Sequence, residues 1–154
     1  MRNLICVLLV VFVPLTLASD TQRRFKVYVR VGGEDAKQAV NTIENHLKRE
    51  LRLLGDVDVV GEGGNWEYII NIMVLPIKWK DGTKTGSYAI STYDANRLPR
   101  FVYEDAADYK TRQATWAGTL GTAYYPEDRL SEFCINHVGD VDKIKLEPIR
   151  TLFR

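Results

Sequence analysis

Cys134 and His137 are the side chains that first invite chemistry. Three residues apart on a helix, they would share one face. A thiol beside an imidazole is the beginning of a nucleophile–base couple, or half of a zinc site. Neither reading completes itself. A nucleophilic cysteine must meet its base in a cleft, and side chains one helical turn apart rarely form one. Tetrahedral zinc takes four ligands, and no second cysteine or histidine pair stands nearby. His46 lies beside Leu47 and reads as a helix-boundary histidine. Asp56, Asp58 and Glu62 cluster without the spacing of a calcium loop. Gly61-Glu62-Gly63-Gly64 precedes a strand, so it lacks the helix N-terminus that a phosphate cradle uses. No nucleophile elbow, zinc-protease helix or phosphate loop occurs. The expectation is a non-enzymatic protein with no metal and no cofactor.

The aromatic residues say more. Trp66, Tyr68, Trp79, Tyr88, Tyr93, Tyr103, Trp116, Tyr124 and Tyr125 are many for one small domain. Several fall on one hairpin, where alternation sends some of them away from the helices. Exposed aromatic groups mark partner surfaces, so Trp79, Tyr88, Trp66 and Tyr68 are the expected binding surface. The competing reading is ordinary cross-strand aromatic pairing.

The elements that must position these groups follow from periodicity. Phe25, Val27, Val29 and Val31 alternate with Lys26, Tyr28 and Arg30, as in a strand with one buried face. Ala36, Val40, Ile43, Leu47, Leu51 and Leu54 are spaced 4, 3, 4, 4 and 3 apart, a single helical stripe. Glu34 and Asp35 precede it, where negative charge complements the helix dipole, and Gly55 is placed to end it. Val57 to Val60 reads as a short strand. Trp66 to Val74 reads as a long central one that weakens at Pro76 and resumes over Ile77 to Lys80. Asp81-Gly82 is a turn pair, and Ser87 to Tyr93 returns antiparallel.

Asp94 to Pro99 reads as a turn, Phe101 to Tyr103 as a short strand, and Arg112 to Tyr124 as an edge strand or irregular chain. Pro126 suits the first position of a helix carrying Leu130, Phe133, Cys134, His137, Val138 and Val141 to about Ile144; Pro148 would stop it. The predicted fold is α+β: a single, mostly antiparallel sheet of four to five strands, with amphipathic helices at about 34–54 and 127–144 on one face.

Met1 to Ala18 carries one charge, Arg2, then an uncharged run from Leu4, with Thr16-Leu17-Ala18 as a small-residue cleavage site. This is a secretory signal pattern. The run of 15 residues from Leu4 to Ala18 is short of the roughly 20 that span a bilayer. Residues 19–154 are expected to form one globular α+β domain in the periplasm or outside the cell. Removing Arg2 takes the formal charge from +1 to zero, so nothing draws the chain to nucleic acid. Cys134 is then the one cysteine left, and the core must hold without an internal disulfide.

The order of these elements resembles small periplasmic α/β domains, the amino-terminal domain of TolB and the curli-channel and penicillin-binding-protein activator relatives. The likeness rests on the helix ending at Leu54-Gly55, the short Val57–Val60 strand and the Tyr68–Ile70 strand, and it covers residues 24–94. It implies an envelope accessory or assembly role without catalysis. The expected function is thus an exported binding module whose partner is another envelope or secreted protein. The alternatives are a small secreted hydrolase with dispersed acidic residues, and a secreted inhibitor using the loop at 81–86. With cleavage after Ala18, intact-mass analysis of the exported protein gives an N-terminus at Ser19; a retained Met1 would refute the leader.

Overall fold

The computed structural model describes residues 23–97 and 119–152. Alternation makes β1 (Phe25–Gly32), whose Phe25, Val27 and Val29 point to one side and are buried. The six-residue stripe becomes α1 (Lys37–Leu53). Ala36, Ala39, Ile43, Leu47 and Leu51 are buried along it, with Val40 and Leu54 at its margins. Gly55 ends it at φ 77°, a left-handed angle that glycine takes without strain. Glu34 and Asp35 do not serve the helix: its first turn carries no acidic residue. Asp35 instead sits at φ 59° and accepts a 2.9 Å bond from Lys78.

The chain then makes β2 (Val57–Val60), β3 (Tyr68–Lys78), β4 (Lys84–Asn96) and β5 (Thr119–Pro126). The five strands form one sheet in the order β2-β1-β3-β4-β5. It is mixed. β1 pairs in parallel with β2 and β3, and the longer β3–β4 and β4–β5 ladders are antiparallel. α1 is the crossover that parallel neighbours require. The β3–β4 register shifts between Pro76 and Lys78, where proline has no N–H for the ladder. Gly33 is forced: a Cβ there would lie 2.1 Å from the Val74 carbonyl oxygen.

Several boundaries differ from expectation. Trp66 precedes β3 instead of opening it, and β4 runs through Asp94 to Asn96 where a turn was expected. The leader and the expected Phe101–Tyr103 strand lie outside the described residues. The second helical run begins with a 3-10 turn (Glu127–Arg129), continues as α2 (Leu130–Asp140), widens into a π turn (Val141–Leu146) and ends as α3 (Glu147–Leu152). Pro148 therefore does not stop it. The wide turn ends at Leu146, so Pro148 stands in the first turn of a new helix, where a missing N–H costs nothing.

α3 returns to the start of the fold. Arg150 donates to both carboxylate oxygens of Asp56, from Nε at 2.6 Å and Nη2 at 2.9 Å. It also pairs with Asp142 at 2.6 Å and Glu147 at 3.0 Å. These bonds to acid groups hold the guanidinium above its ordinary range, against a smaller opposing effect of burial. Arg150→Met is expected to cost about 3–5 kcal/mol in denaturant unfolding, because it strands a buried carboxylate. Adding Asp56→Leu should recover most of that loss; a double variant as weak as the single one would show the pair is not the cause.

Candidate functional site

The two faces of the sheet differ in kind. The inner face carries Ile70, Ile72, Val74 and Ile90 under the helices. Toward one end of β4 its character changes, with Thr92 and Asp94 in line after Ile90 and both buried. Here α2, the π turn and the β4–β5 ladder enclose a cavity of about 300 Å³. Gly121 and Ala123 of β5 leave the space open, and at Gly121 a Cβ would fall 2.8 Å from Thr92 Oγ1.

Asp94 is the centre of a buried polar cluster. His137 of α2 places Nε2 3.4 Å from Asp94 Oδ1, with side-chain exposures of 13% and 5%. His137 is held flat against Phe133, with ring centres 5.6 Å apart and planes 15° apart, and Tyr125 closes on Phe133 at 5.2 Å. Tyr68 Oη joins them from β3. Burial lifts its phenol far above the ordinary range, and the Asp94 charge and the hydrogen bond that the hydroxyl donates to it add to that. Asp94 Oδ1 and His137 Nε2 are buried and, at that separation, make no well-formed hydrogen bond. Such atoms are uncommon in folded proteins and costly. Lys145, half-buried in the π turn, faces the same cavity. Burial lowers its ammonium, and the nearby Asp94 carboxylate opposes that.

Cys134 and His137 diverge. The Cys134 thiol is fully buried and lies 3.7 Å from the Ile43 carbonyl oxygen of α1, while His137 turns to Asp94. The helix presents one residue to its neighbour helix and the other to the sheet. Among the described residues no group of three or more His, Cys, Asp and Glu side chains is placed to hold a metal ion. His46 has its Nδ1 buried without a hydrogen-bond partner.

Among the described residues no helix lies on the outer face. Ladder rows across it read Asn71–Tyr93–Leu120, Met73–Ser91–Thr122 and Leu75–Ala89–Tyr124. Met73, Leu75, Tyr93, Leu120 and Tyr124 are 46% to 74% exposed. None of these nine positions is charged. Charge enters on β1, where Arg30 pairs with Asn71.

The four aromatic residues expected to share a binding surface are dispersed. Tyr68 and Tyr88 are 3% and 8% exposed beneath the helices. Trp66 is half-buried, with the Arg97 guanidinium 3.8 Å above its ring. Trp79 is 67% exposed at the hairpin tip, where its N–H donates to Thr83 and its carbonyl accepts from Gly82. The connection is tighter than the expected loop at 81–86, since β4 already begins at Lys84. Asp94 was missed because it read as the start of a turn. The one available signal was its place two residues beyond Thr92 in the strand alternation.

Neither a protein-family model nor a curated relative matches the chain. Among solved structures the chain is similar to a single-residue variant of the PelC dodecamer from Paraburkholderia phytofirmans. The identity is 17% and the TM-score 0.43, over 84% of this chain and 90% of that one. It is similar also to the PelC dodecamer itself, at 17% identity and TM-score 0.40, over 80% of this chain and 89% of that one. Among the described residues no helix is long and apolar enough to cross a membrane.

Burial, with a smaller push from Glu50, raises the Cys134 thiol to about 12, so at neutral pH almost no thiolate forms. The leader-cleaved protein is expected to take up no iodoacetamide while folded and a single adduct in denaturant. Rapid labelling of the native protein would return Cys134 to the list of nucleophiles.

Proposed function

We propose that the protein is a non-enzymatic binding module working outside the cytoplasm, with the outer face of its sheet as the contact surface for another exported protein. One observation carries this reading: three adjacent strands present Met73, Leu75, Tyr93, Leu120 and Tyr124 to solvent across rows that hold no charge. Soluble domains keep contiguous exposed apolar area small, and larger patches mark interaction sites. A sheet face that no described element covers is also ready to receive a second apolar layer about 10 Å away. The leader pattern of residues 1–18 supports export. The accessory role implied by the TolB-like order of elements belongs to the same proposal.

The polar groups of the three rows are Asn71, Ser91, Thr122 and the hydroxyls of Tyr93 and Tyr124, with Arg30 of β1 beside Asn71. Binding there would bury flat apolar area and order few side chains, since strand residues are already fixed.

A photo-crosslinking amino acid at Tyr93 or Leu120, introduced into the exported protein in its native cell, is expected to give a discrete adduct. The same group at Asn45, exposed on α1, is expected to give none. Leu75→Asp should abolish the adduct while changing stability by no more than about 0.5 kcal/mol, as for other surface positions. Equal adducts from both faces, or none from the sheet, would refute the surface. The adduct's mass separates a second copy from a different protein.

A further inference from the structure

We propose that the edge of β5 pairs with the same edge of a second copy, joining two chains antiparallel across a two-fold axis at Thr122. The proposal concerns the rim of the sheet and stands whether or not the outer face takes a partner.

β5 ends the sheet order, with β4 on one side and, among the described residues, no strand on the other. Alternate residues of such a strand aim N–H and C=O groups outward, a template for another strand. Proteins blunt an edge of this kind with charge, an interior proline, a bulge or brevity. The opposite rim has that treatment: β2 is four residues long, and Arg24 holds its Asp58 at 2.8 Å. β5 has none of it. Thr119–Pro126 holds no charge, its one proline is the last residue, and its register with β4 runs unbroken along all eight residues.

The occupant follows from the sequence of β5, which fits its own reverse. Directly opposed side chains share a face, so outer residues must meet outer residues. With Thr122 on the axis, Leu120 of one copy stands opposite Tyr124 of the other, Gly121 opposite Ala123, and Thr122 opposite Thr122. Leu120 and Tyr124 are 74% and 63% exposed, and this register gives them an aliphatic–aromatic pair on each side of the axis. Thr119 to Tyr125 all take part, and Pro126, without an N–H, stays outside the ladder. No like charges oppose one another. The arrangement also closes on itself: both β5 edges are used, and the guarded β2 edges are left at the two ends. One strand pair is less than the about 1,200 Å² of a stable interface, so the dimer is expected to be reversible and to form at about micromolar concentration or above.

Sedimentation velocity of the leader-cleaved chain over a range of concentration tests this. The parent is expected to show a monomer–dimer equilibrium. Thr122 is exposed, so a charge there leaves the fold intact, as circular dichroism will check. Thr122→Lys and Thr122→Glu should each dissociate at least about tenfold more readily than the parent, since like charges then meet on the axis. Mixed in equal amounts, the two variants should dimerise again, because opposite charges meet there. Leu75→Asp, on β3, should dimerise as the parent does, which separates this edge from the outer face. Five results would overturn the proposal: a parent that stays monomeric, leaving the edge to another segment or another protein; a charge variant that dimerises as the parent does; an equal mixture that stays monomeric; loss of the dimer in Leu75→Asp; or species larger than a dimer, which would mean that unlike edges join.

Discussion

The stripe of Ile43, Leu47 and Leu51 on α1 is the contact on which the molecule is assembled. All three side chains are fully buried, and two layers meet on them. The inner sheet face packs from below, and α2 packs alongside, near enough that the Cys134 thiol reaches the Ile43 carbonyl. Close-packed interiors lose stability when such side chains are trimmed, because neighbours only partly collapse into the gap. With the stripe in place, α2 has a fixed depth over β4. That depth sets His137 against Asp94.

The apolar pattern was readable because burial imposes a period. α1, β1 and the β3–β4 hairpin each showed the spacing that their buried faces require, and Gly55 and Asp81-Gly82 marked their ends. What the pattern could not assign was the face on which an aromatic residue lies. Tyr68 and Tyr88 alternate like their neighbours, and only the pairing of β3 with β1 and β4 shows that this set is the covered one. A one-residue difference in register reverses every side chain, so naming Trp79, Tyr88, Trp66 and Tyr68 as one surface went further than alternation alone can decide. Met73, Leu75 and Leu120, the aliphatic members of the outer face, carried no signal of their own.

The polar cavity was invisible for another reason. Tyr68, Asp94, His137 and Lys145 come from four elements. No spacing rule connects them. The π turn was equally hidden, since Val141 continues a helical repeat and Pro148 appeared to end it. Widening the turn moves Ile144 and Lys145 relative to α2 and lets the helix restart. The sheet thereby has two unlike surfaces: an outer one uncharged across the β3–β5 rows, and an inner one whose far end is polar and enclosed.

Arg150 and Asp56 lie 94 residues apart. During synthesis the acidic half of that pair leaves the ribosome long before its cation. Until α3 emerges, Asp56 must stay hydrated, which keeps the junction of α1 and β2 ajar. Docking of α3 thus seals that junction, and a chain whose Arg150 guanidinium is missing would retain a wet seam beside Phe25 that degradative enzymes can enter.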